Sequence, residues 1–337
     1  MKNNRFIYFD HNIYNLMVRG GEGIVRAYYE KKELIPAFSD ENINEIDRSI
    51  KRRDSFYDLL DRMNAWHVRV PLDDKYNHQG IVKFEEKSAH QRSLELADAR
   101  SGHESKADGL DFMTKGYGGL EESTFKGIFS SQLDEAEGVF HELLNKIDSE
   151  GGSQSELYQE IVESLKKLPK VRDEIETGLK ELDERAEHGP LFDQIQQEIG
   201  FTSSQLGNIM PPHVVNQLWE LIGDSFGGPE MSLVNFLDKV DSFTKDSPDT
   251  QPRPIKLVNG VYNWLNMIGF SRDEGLKKPQ RMKASFGDMT HAGYGATCEI
   301  FLCNDSKMRR KIEAVYEYLG VSCEITSFED NRSDVHA

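Results

Sequence analysis

The sequence predicts an α/β fold: a parallel sheet flanked by helices, with a large, mostly α-helical insertion between its two halves. Three observations lead there. The chain opens with a continuous apolar run at 6–9, amphipathic helices, and a second apolar run ending at Phe38. Residues 286–326 read as helix, buried strand, helix, strand. Between these ends helix follows helix, and the acidic residues concentrate there.

Taken in order, Phe6-Ile7-Tyr8-Phe9 is apolar at every position, as in a strand covered on both faces. Asp10 ends it. Residues 12–18 read as a helix, 19–23 as a glycine break, 24–33 as an amphipathic helix and 34–38 as a second strand. A strand–helix–strand unit with a short crossover favours parallel pairing. Ser39 or Asp40 caps the next helix, which carries Glu45. Helical spacing resumes through Phe56, Leu59, Leu60, Met63 and Trp66, and 67–86 reads as short strands or extended loop. The glycine-containing stretch 101–119, with His103, Asp108 and Asp111, reads as a loop. Helices follow over 125–148, 154–168 and 171–187, punctuated by Pro169, Gly189-Pro190 and Pro211-Pro212, with no fixed repeat. The polar, proline-rich run 245–254 reads as a linker. Residues 255–270 form another amphipathic helix and 272–283 a basic loop. The helix over 286–298 carries Ala292, Gly295 and Ala296, a small-residue face suited to close packing on a sheet. Ile300-Phe301-Leu302-Cys303 is a buried strand ended by Asn304-Asp305. Residues 307–319 are a helix that Gly320 caps, 322–326 a last strand, and 331–337 a polar tail. These elements divide the chain into an N-terminal core part (1–55), a helical insertion (56–254), a C-terminal core part (255–330) and the tail.

Composition narrows the class. With 337 residues, 37% hydrophobic and 29% charged, the chain is expected to be globular. No apolar run is long enough to span a bilayer, and Phe6–Phe9 is too short for a signal segment, so no membrane partner and a cytoplasmic location are expected. Cys298, Cys303 and Cys323 lack CxxC spacing and read as small buried hydrophobes. The net charge of −17 argues against nucleic acid as a partner, but it is uneven. Residues 121–200 carry 20 acidic and 8 basic residues, while 1–60 carry 10 of each. The core is near neutral, and the acidic helices offer a surface for a protein partner.

The chemistry concentrates in four acids. Asp10 and Asp305 each follow a buried strand, so parallel neighbouring strands would project both from one sheet edge, where α/β sheets bind ligands. Glu45 and Asp288 lie on helices that can pack beside that edge. Convergent acids repel, and a hard divalent cation such as Mg²⁺ or Mn²⁺ relieves this while activating water and neutralising phosphodiester charge. Asn12 can orient Asp10, and His291, one turn after Asp288, can touch a phosphate or a proton in transfer. Two basic runs, Arg48, Lys51, Arg52 and Arg53, and Lys307, Arg309, Arg310 and Lys311, read first as solvated helix faces. Arg48, Arg52, Arg309 and Arg310 are the phosphate-binding candidates among them.

The segments FDHNIY, FSDENINEI and GDMTHAGYGATCEIFLCND together resemble the PIN-like nuclease superfamily. The resemblance spans roughly 1–50 and 260–330. It implies a parallel α/β sandwich in which Asp10, Glu45, Asp288 and Asp305 bind Mg²⁺ or Mn²⁺, with Asn12 at the polar position after the first acid. It also implies a metal-dependent endoribonuclease acting on RNA, with DNA an open alternative, in a toxin-like or defence setting. Two departures stand out: Cys303 replaces the Thr or Ser often found two residues before the last acid, and some 200 residues intervene where the family domain is usually compact. A second expectation is therefore a catalytically weak PIN-like scaffold working as a binding or regulatory module. A third, an aspartate-nucleophile phosphotransferase, wants a second Asp where this chain has Asn12.

Overall fold

The computed structural model describes residues 4–71, 82–100, 109–226, 228, 230–240 and 254–328. His103, Asp108, residues 245–253 of the proposed linker, and the 331–337 tail lie outside them. The described residues form two compact units, one from Met1–Ala97, Glu198–Asp273 and Ser285–Ala337, the other from Asp98–Gln197 and Glu274–Ala284. No described helix is long and apolar enough to cross a membrane.

The first unit is built on six strands: β1 (Phe6–Phe9), β2 (Ile35–Phe38), β3 (Trp66–Arg69), β4 (Lys83–Glu86), β5 (Ile300–Leu302) and β6 (Glu324–Thr326). Their order is β4-β3-β2-β1-β5-β6, parallel throughout except for the β3–β4 pair. β1 is central, and all four of its residues are buried, as its unbroken apolar run requires. Ile7 and Phe9, with Ile300, Leu302 and Phe38, enter the main core on one face. Tyr8 and Phe301, paired in register, occupy the other, with ring centroids 5.7 Å apart.

Five helices follow within the N-terminal half of this unit: α1 (His11–Leu16), α2 (Glu22–Lys31), α3 (Asp40–Arg48), α4 (Arg53–Arg62) and α5 (Ala89–Arg100). The glycine break lies in a π-helical turn, Met17–Gly21, where Gly20 takes φ 109°. Ser39, not Asp40, caps α3, forming a capping box with Asn42. Trp66 opens β3 rather than extending the preceding helix, and the described residues of 67–86 supply β3 and β4 to the sheet, 72–81 lying outside them.

The second unit contains α6 (Leu110–Gly116), α7 (Phe125–Ser149), α8 (Glu156–Ala186) and most of α9 (Leu191–Glu198). Phe125, Leu179 and Leu191 centre its core. Asp183 of α8 accepts from the amides of Phe125 and Lys126 at 2.6 and 3.2 Å, capping α7 across the hairpin. Two expectations change here. α8 runs straight through Pro169, because packing against α7 outweighs one lost backbone bond. Part of the glycine-containing stretch, 110–116, is helical.

Returning to the first unit, the remaining helices are α10 (Ser203–Gly207), α11 (Val214–Ile222), α12 (Leu233–Val240), α13 (Pro254–Ile268), α14 (Pro279–Gly295, in this unit from Ser285 on) and α15 (Ser306–Leu319). α14 begins inside the stretch read as a basic loop. Its small-residue face meets the sheet as expected: Ala292 is fully buried, and a Cβ on Gly295 would stand 2.9 Å from the Phe301 ring. Gly320 ends α15 at φ 66°, a left-handed cap.

Candidate functional site

After β1 the chain turns to β2 on one side, while β5 lies on the other. The carboxyl ends of β1 and β5 therefore flank a topological switch point, where open α/β sheets bind ligands. Asp10 stands at this point. Its amide donates to Leu302 O at 3.1 Å, tying the two strand ends together. Its side chain is 2% exposed, makes no helix-cap bond, and accepts from Asn12 Nδ2 at 3.0 Å. Cys303 Sγ, from the end of β5, lies 3.9 Å from Asp10 Oδ2. Burial pushes the Asp10 carboxyl above its ordinary value; Glu45 adds to this, and His291 and Asn12 oppose it.

α14 delivers Asp288 to the same edge. Among the described residues nothing hydrogen-bonds or ion-pairs to its carboxyl group. Partial burial, then the carboxylates of Asp10 and Asp273, push it well above the usual range, against the pull of His291 and Lys311. Asp305 is exposed, and its Oδ1 accepts from Met308 N at 2.8 Å, so it caps α15 with one oxygen.

Glu45 is placed differently. Its Oε2 accepts from His291 Nε2 at 3.0 Å and faces His11 Nδ1 at 3.5 Å, and Arg48 Nη2 is 3.8 Å from Oε1. Burial alone would raise it, but His291, then His11 and Arg48, hold it below the ordinary value. His291 is fully buried. Its Nδ1 meets Tyr8 Oη at 2.8 Å, which meets Ser39 Oγ at 2.6 Å, so a polar chain runs from Glu45 into the base of β1 and α3. Burial pulls the imidazole down, yet Glu45, Asp10 and Glu41 lift it to about 9. The repelling acids thus have an internal basic partner.

Further residues at the site had no assigned role in the sequence reading. Glu41, on the same face of α3 as Glu45, has Oε1 2.8 Å from Arg48. A Cβ on Gly287 would stand 3.2 Å from an oxygen of each of these two glutamates, so the glycine lets α14 approach them. His11 Nδ1 is buried without a hydrogen-bond partner, and burial lowers its pKa. Tyr262 is fully buried, and its hydroxyl is unpartnered within electrostatic reach of Asp273, Asp288 and Asp305. Nothing local in the sequence marks these roles, which depend on contacts between distant segments.

The basic candidates divide. Arg48 lies at the cluster. Arg310 donates to Gly207 O and, at 3.0 Å, to Ile209 O, and stacks over Phe270 at 4.9 Å, so its head is engaged in holding the chain after α10. Arg309 is partly buried and Arg52 is exposed at the start of α4. Lys311 is fully buried rather than solvated.

The donor chemistry suits a hard divalent cation: Asp10, Asp288 and Asp305 offer carboxylate oxygens, and none of the three has a cation bonded directly to it among the described residues. The orphaned Tyr262 hydroxyl beside them wants a further partner. No group of three or more His, Cys, Asp or Glu side chains among the described residues is drawn together closely enough to hold an ion as it stands. No protein-family model matches the chain, and neither a curated protein nor a solved structure matches it.

Proposed function

We propose that the protein is a divalent-metal-dependent nuclease of PIN-like fold that hydrolyses phosphodiester bonds, with RNA as its substrate class. One observation carries this reading: two desolvated carboxyl groups, Asp10 and Asp288, lie with Asp305 within electrostatic reach of Cys303, beside the switch point of a mostly parallel sheet. Asp10, Asp288 and Asp305 would hold Mg²⁺ or Mn²⁺, with Glu45 at the rim. When bound, such an ion supplies charge neutralisation on the phosphodiester and a lowered pKa for the attacking water.

The chain's own residues do the rest. Asn12 fixes the Asp10 carboxylate from the solvent side. His291, pinned between Glu45 and Tyr8, holds a positive charge behind the cluster and keeps Glu45 ionised and oriented. Arg48, at the rim, is placed to meet a phosphate entering beside Glu45. Cys303 leaves the hydroxyl position of the family pattern occupied by a thiol that burial keeps protonated.

A specific observation favours the second reading, a binding module of the same fold. Glu45 is already neutralised by His291, and the acids are not drawn up around a common point. Cleavage separates the two. A pool of labelled RNAs should be cut by the wild type in Mn²⁺ or Mg²⁺, not in EDTA, and not by Asp10→Asn in any ion. A wild type that binds Mn²⁺ and RNA yet cuts neither RNA nor single-stranded DNA would favour the binding module.

A further inference from the structure

A second buried polar group lies behind the acids, and the proposed chemistry does not use it. Lys311 of α15 has no exposed surface. Its Nζ donates to Asp273 Oδ1 at 2.7 Å and to Asn266 Oδ1 at 2.9 Å, and stands 4.3 Å over the Tyr262 ring. Asp273 Oδ2 accepts from Ser285 Oγ at 2.6 Å and from Asn266 Nδ2 at 3.1 Å. Ser285 is one helical turn before Asp288 on the same side of α14, and Lys311 follows Asp305 by under two turns of α15. The ammonium is therefore held between the helices that carry the two acids.

A buried ion pair is seldom kept for stability, since well-packed apolar groups of similar volume serve as well or better. Here the pair sits beside an excess of carboxylates. An ammonium carries three donors; Asn266 and Asp273 take two, and the ammonium lies over the Tyr262 ring, so no carboxylate of the acid site bonds it directly. Asp273 cancels part of its field at Asp288 but is itself saturated: Oδ1 by Lys311, Oδ2 by Ser285 and Asn266.

We propose that Lys311 is the resident cation of the acid site: a fixed positive charge behind Asp288 and Asp305 that offsets part of the carboxylates' repulsion when no ion is bound and weakens the hold on an incoming divalent cation. This rests on the metal-binding reading above. Lys311 is a positioning residue; it touches neither substrate nor ion. Interior charges are poorly screened, so its effect on a doubly charged ion is large.

The sign of one measurement tests this. Calorimetric titration with Mn²⁺ is run on the full-length wild type, Lys311→Met and Lys311→Gln, each checked for folding by thermal melting. Both variants should bind Mn²⁺ about tenfold more tightly than wild type, even though each melts at a lower temperature. A lysine that only props the fold would, when lost, loosen the site or leave its affinity unchanged. Lys311→Gln keeps a donor for Asp273, so it carries the comparison if Lys311→Met does not fold. Equal or weaker binding by the folded variants overturns the role of Lys311 and leaves the metal reading intact. No Mn²⁺ uptake by the wild type overturns the metal reading, and the role of Lys311 with it.

Discussion

Replacing Asp288 by Asn should stabilise the fold while it removes activity. The carboxyl group accepts no hydrogen bond from the described residues, so the near-isosteric amide gives up no contact. Partial burial and the repulsion of Asp10 and Asp273 disfavour its ionised form, and His291 and Lys311 do not compensate. The group is therefore a local cost that the site carries at neutral pH. Removing the charge should contribute about 1–2 kcal/mol, the usual size of a stabilising substitution, or roughly 2–8 °C in Tm for a unit of this size. The gain has a defined pH dependence. A carboxyl group with a raised folded-state pKa supports stability below its ordinary value of 3.8 and loses that support as pH rises through the folded value. The advantage of Asp288→Asn should thus be small near pH 4 and grow towards pH 8. Paired thermal melts across that range, in EDTA, measure it directly. A variant less stable than wild type at pH 8, or a gain indifferent to pH, would refute the claim that Asp288 is a desolvated, uncompensated acid.

Asp273→Asn should act in the opposite sense, leaving Lys311 buried without its counter-ion and costing about 3 kcal/mol, read as a lowered urea midpoint at unchanged slope. The pH dependence of wild-type stability should carry the mark of His291. With a folded pKa of about 9 against an ordinary 6.5, its contribution is complete below pH 6.5 and is lost as pH rises through 9. That contribution is about 3 kcal/mol, shared with Glu45, and urea unfolding at pH 6 and pH 9.5 should show a smaller decline in His291→Gln than in wild type. Gly295→Ala should cost about 1–3 kcal/mol, because the added methyl would meet the Phe301 ring at 2.9 Å and the Tyr316 hydroxyl at 3.1 Å, and a melt unchanged from wild type would argue against that close packing.

The central strands were legible in the sequence because both faces of β1 and β5 are covered, leaving unbroken apolar runs. β4 was left open between strand and loop: KFEE, an antiparallel edge strand with partly exposed positions, has no such signature. The split expected at Pro169 failed because the preceding helix, α7, packs along α8 and holds it together, a contact that the local pattern around the proline does not show. The site divides in the same way. Asp10 and Asp305 announce themselves by ending apolar runs. Lys311 sits among Arg309 and Arg310 and reads as surface, yet its partner Asp273 lies 38 residues away. Likewise the pairing of His291 with Glu45, 246 residues apart, turned a presumed row of bare acids into a partly neutralised one. Local pattern located the acids; the cations that balance them required the fold.

The most direct test of the metal site is anomalous diffraction from crystals of the protein grown in Mn²⁺. An anomalous peak among the carboxylates of Asp10, Asp288 and Asp305, absent in Asp288→Asn, is the predicted result. Crystals saturated with Mn²⁺ that show no peak at the switch point between β1 and β5 would contradict the account.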